Sequence, residues 1–600
     1  MFVWDRNDIN KEQEAAIMAS GNVLLVACPG SGKTRTLTYK LAYELSVLKS
    51  TKTFVIAITY THRAADEIKE RVEQLGVDTS QLWIGTIHAF CLEWILKPYF
   101  IYLEDLKYGF RVINAHETEI LLTALCAPYR SKRITYYDCA YLITTDGVSL
   151  SCPVNAKHAD IREILKAYWK ILDENRQVDF QLILYYSHNL LVEKPFIGQV
   201  LSKLFAYILL DEYQDTSEIQ YLILSKIIGG SSNVLRTFIV GDPNQSIYTN
   251  LGGYPIKKAD LEKLTGCKFT EMGLSRNYRS SDMVIGYFEH FKTFANDIDG
   301  FGKNKAYPSI ISYNHQVIRA NLENEIVRLI LYNIQDKGIS PNEICIVAPQ
   351  WVHLANLTRS LMVKLPDYSF DGPGMAPFAR DIDNFFYKLC RIILTEPSPA
   401  MYASRLRWSA EILKELDYLN IDITAVNRKQ LLKYCNSIHL AEKDGITYLK
   451  EFIASLLGLL KIKIDLYPSL REHYDSFFKS SEERIAKLVK EGYHYISTIE
   501  NFRKVFKQRE GITISTIHGV KGAEFDAVIA FALLEDYVPH FSDPNKADAA
   551  KKLLYVICSR SRKNLHLISE KGRLKNFGNP PPEYVPTFQL AAYQYPYHVF

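Results

Sequence analysis

A glycine-rich turn near the start of the chain constrains the fold more than any other feature of the sequence. The segment Ala27-Cys-Pro-Gly-Ser-Gly-Lys-Thr34 follows the apolar run Val23–Ala27 and precedes the helical pattern Arg35–Leu48. A strand, a glycine-rich turn and a helix in this order present backbone N–H groups to a phosphate chain. The pattern predicts that Lys33 reaches the β- and γ-phosphates and that Thr34 holds Mg²⁺. The candidate phosphate ligands are Gly30, Ser31, Gly32, Lys33, Thr34 and Arg35.

A second motif, Ile208-Leu-Leu-Asp-Glu-Tyr-Gln-Asp215, places an acidic pair at the end of another apolar run. Asp211 can hold the water shell of Mg²⁺, and Glu212 can orient and deprotonate an attacking water. An acidic pair after a strand is by itself equally typical of a helix N-terminal cap. Because a phosphate-binding turn lies upstream, the two motifs together predict a site for ATP and Mg²⁺.

Short apolar or β-branched runs recur along the chain and end in loops rich in Gly, Pro, Asp or Thr. Runs of this length suit strands that are buried on both faces of a parallel sheet, and helical patterns lie between them. This alternation predicts an α/β architecture with ligands at the carboxyl ends of the strands. The predicted strands are Val23–Ala27, Phe54–Thr59, Tyr207–Leu210, Phe238–Val240, Ile344–Ala348, Thr513–Thr516, Ala527–Phe531 and Leu565–Ile568.

The predicted strands fall into two sets, which indicates two α/β cores in tandem. We expect the first core at residues 1–105 and 201–280, and the second at 281–376 and 505–600. Mostly helical patterns fill residues 106–200 and 377–504. Each core is therefore expected to carry a helical insertion.

The composition excludes several classes of protein. The 600 residues are 48% hydrophobic and 23% charged, which is too apolar for a disordered chain. No run approaches 18 apolar residues, and the first 13 residues lack the apolar centre of a signal peptide, so we expect a cytoplasmic protein with no membrane contact. A net charge of +4 argues against a nucleic-acid coat protein but allows a local basic groove. The ten cysteines form no Cys-x-x-Cys pair, which gives no support to a zinc or iron–sulfur site.

Further motifs follow one another over nearly the whole chain. Together with Asp-Glu-x-Gln-Asp they resemble the motifs of superfamily 1 helicases of the UvrD/PcrA/Rep type. The resemblance implies two RecA-like motor cores that hydrolyse ATP in the cleft between them and move 3′-to-5′ on single-stranded DNA. The segments that carry it are Ile9–Gln13, Thr59–Ala65, Gly85–Phe90, Val240–Tyr248, Asn277–Ser280, Thr516–Phe525 and Tyr555–Arg560.

The resemblance also assigns roles at the nucleotide. It implies that Gln13 reads adenine, Tyr278 stacks on it and Glu524 contacts the ribose. Gln245 would touch the γ-phosphate, and two arginine fingers would stabilise the charge that develops during phosphoryl transfer. The expected catalytic residues are Lys33, Glu212, Gln245, Arg279 and Arg560, and Arg562 is a nearby competitor for the role of Arg560.

A further set of positions matches the family's contacts to single-stranded DNA and to single-strand/double-strand junctions. An aromatic side chain such as Tyr60 can stack on a base of any identity. Taken singly, Tyr60 and His88 are also typical of packed core residues. The expected nucleic-acid contacts are Tyr60, Thr61, His62, Thr86, His88, Tyr248 and His518.

Some positions depart from the family pattern and leave a second function open. Asn250 and Leu251 stand where the family has a Trp-Arg pair, and segment 377–504 is short. The alternative is a nucleotide-gated, DNA-sensing ATPase subunit of a nuclease complex in DNA repair or anti-phage defence, with a partner nuclease. A P-loop kinase or small-molecule ATPase leaves Gln245, Arg279 and the motif around His518 unexplained.

Overall fold

The computed structural model divides the chain into two compact units. The first unit comprises Met1–Ile113, Leu121–Gln350 and Ser515–Phe600, and the second comprises Asn114–Ile120 and Trp351–Ile514. Asn250 and Leu251, the departures from the family pattern, lie outside the described part of the chain. The described residues are 2, 4, 8–144, 147–230, 235–249, 252–372, 377–378, 381, 384–490, 494–506, 511–543, 545–575 and 578–600.

The described strands form two six-stranded sheets and three two-stranded ones. In chain order they are β1 Val23–Ala27, β2 Phe54–Thr59, β3 Leu82–Thr86, β4 Arg111–Val112, β5 Tyr141–Thr144, β6 Gly147–Leu150, β7 Gln177–Val178, β8 Phe205–Asp211, β9 Arg236–Gly241, β10 Thr270–Leu274, β11 Arg276–Asn277, β12 Asp299–Gly300, β13 Ile311–Asn314, β14 Ile344–Ala348, β15 Phe370–Asp371, β16 Ile512–Thr516, β17 Phe525–Ala530 and β18 Ser561–Ile568.

Helices lie between these strands. They are α1 Lys11–Met18, α2 Lys33–Val47, α3 His62–Gln74, α4 Ile87–Phe90, α5 Lys97–Tyr99, α6 Ala115–Cys126, α7 His158–Glu174, α8 Phe180–Glu193, α9 Pro195–Leu204, α10 Glu218–Ile228, α11 Lys258–Thr265, α12 Asp282–Glu289, α13 Leu322–Leu331, α14 Leu354–Lys364, α15 Phe385–Ile393, α16 Tyr402–Tyr418, α17 Arg428–Ser437, α18 Gly445–Leu459, α19 Pro468–Lys490, α20 Ile499–Lys504, α21 Lys546–Cys558 and α22 Phe588–Ala591.

The first sheet has the strand order β10-β1-β9-β8-β2-β3, and its described pairings are all parallel. Its inner strands are almost entirely buried, as their continuous apolar sequences predict. β1 and β8 both flank β9, with Leu25 and Asp211 each in register with Val240. The loops that follow these three strands therefore meet at one edge of the sheet.

The second sheet has the strand order β13-β18-β17-β14-β16-β15. The described pairings β13/β18, β17/β18, β14/β17 and β15/β16 are parallel. Phe525 at the start of β17 pairs with Ser561 at the start of β18. The residues that precede these two strands therefore lie side by side at the amino edge of the sheet.

Helices dominate both insertions. Residues 106–200 contain α6, α7, α8 and the start of α9, and the β5/β6 hairpin adds a strand pair that the sequence did not predict. Helices α15 to α20 of the second unit pack around apolar side chains such as Phe386, Leu449 and Phe477. The predicted fold class, two parallel-sheet α/β cores each with a mostly helical insertion, is confirmed, while the domain boundaries drawn from the sequence stay a prediction. No described helix is both long and apolar enough to span a bilayer.

Candidate nucleotide site and nucleic-acid interface

The glycine-rich turn between β1 and α2 is closely surrounded by other parts of the first unit. Gly30 and Gly32 have left-handed backbone conformations, with φ angles of +68° and +78°. A Cβ atom on Gly30 would lie 2.6 Å from Cβ of Arg279, and one on Gly32 would lie 2.6 Å from Nε2 of Gln13. Only glycine satisfies both the conformation and the space at these positions. Inside the turn, the Ser31 hydroxyl donates to the carbonyl oxygen of Cys28 at 2.7 Å.

Helix α1 holds the candidate adenine-binding residues against this turn. Gln13 and Asn10 form a reciprocal capping box at the start of α1. The Gln13 amide also donates to the Ser31 carbonyl at 2.9 Å, and the Asn10 amide donates to the Tyr278 hydroxyl at 2.8 Å. The backbone N–H of Tyr278 donates to the Gly30 carbonyl at 2.9 Å. Because a side-chain amide has two donors and two acceptor lone pairs, Gln13 keeps one of each for a ligand.

Lys33 and Glu212 face each other at the carboxyl ends of β1 and β8. The Lys33 ammonium lies 3.5 Å from a Glu212 carboxylate oxygen. It is buried and has no hydrogen-bond partner among the described residues, so its donors remain for a phosphate. Burial alone would raise the pKa of Glu212, but the positive charges of Lys33 and Lys521 outweigh burial and lower that pKa. Glu212 is therefore ionised at neutral pH.

Asp211 is the candidate magnesium ligand. Its side chain is buried at the end of β8, and burial raises the pKa of its carboxyl group. Asp211 forms no ion pair with a described cationic side chain, and the positive charge of Lys33 only partly offsets the effect of burial on its carboxyl group. A hard divalent cation would offset that effect further, and the Thr34 hydroxyl at the start of α2 offers a second oxygen of the kind that Mg²⁺ prefers. The residues present fit a magnesium ion.

Gln245 and Arg560 are in direct contact across the two sheets. The guanidinium of Arg560 donates to Oε1 of Gln245 at 2.9 Å, and Nε2 of Gln245 donates to Asp242 at 2.7 Å. Arg560 is 2% exposed and pairs with no carboxylate in the described chain. Burial, reinforced by the charge of Arg279, lowers the pKa of Arg560. A buried guanidinium that forms no ion pair is suited to receive an anion.

The second candidate finger, Arg279, is held by hydrogen bonds and an ion pair. Its Nε lies 2.5 Å from Glu524, and its Nη1 donates to the Ser559 carbonyl at 2.9 Å. Glu524, the candidate ribose contact, is thus engaged by Arg279 and lies 3.4 Å from Arg562. Arg562 also pairs with Asp526 at 2.7 Å. Arg562 is therefore already neutralised, whereas Arg560 is not.

Three of the expected nucleic-acid residues form one group, which we call the aromatic cluster: Tyr60, Tyr248 and His518. The Tyr60 and Tyr248 ring centroids lie 4.8 Å apart, and those of Tyr248 and His518 lie 5.2 Å apart. Tyr60 follows β2 and is 40% exposed, while His518 follows β16. The two sheets thus both contribute to a ring surface that is open to solvent.

The other expected nucleic-acid residues, and Arg35 from the expected nucleotide site, lie near strand ends but outside this cluster. Thr61 and Thr86 cap α3 and α4, and each side chain accepts a backbone N–H. His62 is the first residue of α3, and His88 packs edge-on against Phe180 at 5.5 Å. The exposed Arg35 donates to the Asp8 carbonyl at 2.9 Å.

Two residues inside the sequence motifs, Lys521 and Asp215, lie at the site although the sequence alone gives them no role. Lys521 forms an ion pair with Asp215, donates to the main-chain oxygen of Gln245 at 2.7 Å, and lies 5.1 Å from the ring centroid of Tyr248. Lys521 and Asp215 belong to quoted motifs, so their sequence position was a usable signal. Phe180 is 42% exposed beside His88 and has no motif that would have identified it.

Two family models match the chain. The UvrD/REP helicase N-terminal domain matches residues 9–257, and the UvrD-like helicase C-terminal domain matches residues 459–572. These matches together cover more than half of the sequence and include both the glycine-rich turn and the segment that carries Arg560.

Similar curated proteins extend over most of the chain. The ATP-dependent DNA helicase PcrA of Leuconostoc citreum is 24% identical, with 96% of this chain and 84% of the relative covered. The protein of the same name from Bacillus subtilis is 22% identical, with 94% and 82% covered. DNA helicase II of Salmonella typhimurium is 29% identical over 46% of this chain and 39% of its own length. The matched models and the shared motifs lead to one conclusion: this chain belongs to the UvrD/REP helicase family.

Proposed function

We propose that the chain is an ATP-hydrolysing motor that moves along single-stranded DNA in the 3′-to-5′ direction. The observation that carries this proposal is the convergence of side chains from two sheets on one candidate phosphate site. Lys33 and Glu212 come from the first sheet, and Arg560 reaches Gln245 from the second. The relatives are named ATP-dependent DNA helicases, which supports the same reaction and the same polymer.

In this proposal Glu212 is the general base. Its lowered pKa keeps it ionised, so its carboxylate can accept a proton from a water that attacks the γ-phosphate. Lys33 offers its free donors to the β- and γ-phosphate oxygens, and the glycine turn offers backbone N–H groups to the same chain. Thr34 and Asp211 would hold Mg²⁺, which when bound neutralises charge on the phosphates.

The two arginines supply the remaining positive charge. Arg560 is buried and forms no ion pair with a described carboxylate, and its contact with Gln245 orients it toward the site. Arg279 would release Glu524 when it turns to a phosphate, which leaves that carboxylate free to meet the ribose. Because these groups come from both sheets, loss of the γ-phosphate weakens the attraction between the sheets and lets the site open.

The aromatic cluster is the proposed contact with the DNA strand. Its rings belong to the loops that follow β2, β9 and β16, so residues from both sheets can stack on neighbouring bases. Stacking on a base does not depend on sequence, which suits movement along a strand. If the nucleotide site opens and closes while each sheet contacts the strand, the protein would move along the DNA in steps.

Steady-state ATP hydrolysis with and without single-stranded DNA tests this proposal. We expect DNA to stimulate hydrolysis, Lys33→Ala to abolish it, and Glu212→Gln to lower kcat by about 10²–10⁴-fold with a small change in KM. The matched control is Glu271→Gln, an exposed carboxylate on β10 of the same sheet. Absence of DNA stimulation, or an active Glu212→Gln variant, would contradict the proposal.

The alternative function is a DNA-sensing ATPase subunit of a nuclease complex. Asn250 and Leu251 favour this alternative because they depart from the family pattern. A strand-displacement assay distinguishes the two functions. A partial duplex with a 3′ single-stranded tail should be unwound by the isolated chain, and one with a 5′ tail should not. DNA-stimulated hydrolysis without displacement of either substrate would favour the subunit function.

A further inference from the structure

Two cysteine side chains lie in direct contact within residues 106–200. The sulfur atoms of Cys126 and Cys139 are 3.6 Å apart, and both side chains are buried. Cys126 is the last residue of α6, and Cys139 is the last residue of the 3₁₀-helix Tyr136–Cys139. Because a disulfide bond is about 2.0 Å long, the two sulfur atoms would have to approach each other by less than about 2 Å to form one.

A third thiol in the same apolar core serves as an internal control. Cys126, Cys139 and Cys152 all belong to this core and are buried to a similar degree. The Cys152 thiol donates to a carboxylate oxygen of Asp138 at 3.5 Å, whereas the sulfur atoms of the other two cysteines contact each other. A difference between these thiols in their reaction with an oxidant therefore reports the direct sulfur contact, and not burial.

The segment between the two cysteines, residues 127–138, carries a cluster of cationic side chains. Arg130, Lys132 and Arg133 are all exposed. The ends of the segment lie at the two sulfur atoms, so a covalent bond between them would close it into a ring. Such a bond restricts an opened segment more than a folded one. It would therefore oppose local unfolding of residues 127–138.

We propose that Cys126 and Cys139 are a redox-active thiol pair, which forms a disulfide bond and thereby locks the basic segment 127–138. The oxidant is a low-molecular-weight disulfide, of which oxidised glutathione is the probe used below. Neither cysteine takes part in the proposed ATP hydrolysis, so this modification site is separate from the nucleotide site.

The reaction consists of two thiol–disulfide exchanges. The Cys126 thiolate attacks one glutathione sulfur, which forms a mixed disulfide and releases one glutathione thiolate. The Cys139 thiolate then attacks the Cys126 sulfur, which forms the protein disulfide and releases the second glutathione thiolate. The two protein thiols lose two protons and two electrons, and these reduce the oxidised glutathione to two thiols.

The environment of the pair sets the conditions under which it reacts. Burial raises the pKa of the Cys126 thiol and that of the Cys139 thiol. Because the thiolate is the attacking species, exchange is slow near neutral pH and becomes faster as the pH rises. The oxidation is therefore carried out at about pH 8.5.

Mass spectrometry of the full chain tests the bond itself. After incubation with oxidised glutathione, the remaining thiols are alkylated in denaturant and the peptides are mapped. We expect a peptide pair joined through Cys126 and Cys139 in the wild type and in Cys152→Ser, and its absence in Cys126→Ser. Alkylation of all ten cysteines, a glutathione adduct that does not proceed to a protein disulfide, or a bond from Cys139 to Cys152 would overturn the proposal.

Limited digestion of the native protein tests the locking, because trypsin cleaves after Arg130, Lys132 and Arg133. We expect the oxidised wild type to be cleaved in this segment at least about tenfold more slowly than the reduced protein. The cleaved halves should stay joined until a reductant is added. Cys152→Ser should show the same protection and Cys126→Ser none. Equal cleavage rates after complete disulfide formation would overturn the locking of the segment.

Discussion

The two six-stranded sheets present opposite edges to the candidate nucleotide site. In the first sheet, Lys33, Asp211 and Glu212 all follow strands and therefore lie at its carboxyl edge. In the second, Glu524 precedes β17 and Arg560 precedes β18, so both lie at its amino edge. The first sheet provides the phosphate turn and buried carboxylates, and the second provides a buried cation.

This difference shows which site residues can be located from the general rule for ligand binding by parallel sheets. Ligands of open α/β sheets bind at the carboxyl ends of strands, and the first sheet follows that rule. Arg560 and Glu524 do not follow that rule, and only their sequence motifs predict that they belong to the site. In the proposed site, the second sheet would supply the ligands that the first sheet lacks.

The largest expected effect comes from the amino edge of the second sheet. Arg560→Ala should lower kcat for ATP hydrolysis by about 10³–10⁵-fold, because an arginine finger stabilises charge in the transition state. Arg560→Lys should recover little of this, since an ammonium lacks the planar fork of donors. Pre-steady-state hydrolysis and nucleotide binding are measured on the same preparations.

Arg562→Ala is the matched control, because this neighbouring arginine is already paired with Asp526 and Glu524. We expect it to keep hydrolysis within a few-fold of the wild type. Equal losses in the two variants would show that positive charge in general, and not the placement of Arg560, matters at this edge.

The next effect concerns the aromatic cluster, to which both sheets contribute. Tyr60→Ala should weaken binding of single-stranded DNA by about 1–3 kcal/mol, because a stacking ring is lost. His518→Ala tests the second sheet's side of the same cluster. The exposed Tyr102, which contacts Phe196 instead, provides the control variant Tyr102→Ala. Fluorescence anisotropy with a labelled oligonucleotide gives the affinities, and unchanged binding by Tyr60→Ala would remove this residue from the interface.

The smallest predicted effect is a loss of stability of the second sheet at acidic pH. His566 on β18 is fully buried between Ser312 and Asn333, and burial, reinforced by the charge of Arg328, lowers its pKa to about 3. An unfolded histidine binds its proton below about pH 6.5. The unfolded state therefore gains protons first, and stability present above pH 6.5 is lost as the pH falls toward 3.

The loss from His566 should reach about 2 kcal/mol at pH 5. Hydrogen exchange of peptides from β18 at pH 5 and pH 7.5 measures it, and His566→Gln should show a shallower decline than the wild type. Equal declines in both proteins would mean that His566 is not the group responsible.

The strands that the sequence predicted are the inner strands of the two sheets. The inner strands carry apolar runs because their side chains are buried on both faces of the sheet. They are β1, β9, β8 and β2 of the first sheet, and β18, β17, β14 and β16 of the second. The unpredicted β3, β10, β13 and β15 are the four edges. Strand β10, Thr-Glu-Met-Gly-Leu, is mostly exposed and contains glycine, so no apolar run marks it.

The candidate site likewise contains residues that the sequence predicts and residues that it does not. The glycine turn is predictable from sequence because its φ angles and close contacts leave room only for glycine at positions 30 and 32. The contacts of Lys521 were not predictable, since they join residues some 300 positions apart, as in its pair with Asp215. Phe180 was missed because its partner, His88, approaches only in the folded chain.

A crystal structure with Mg²⁺ and a non-hydrolysable ATP analogue tests the central claim most directly. The account predicts a phosphate chain in the Gly30–Lys33 turn, with the Arg560 guanidinium at hydrogen-bond distance, about 2.7–3.2 Å, from the γ-phosphate. It also predicts that Arg279 has left Glu524 for the same phosphate. A nucleotide bound by the turn alone, with Arg560 and Arg279 both still away from the phosphates, would contradict the claim that two sheets build one site.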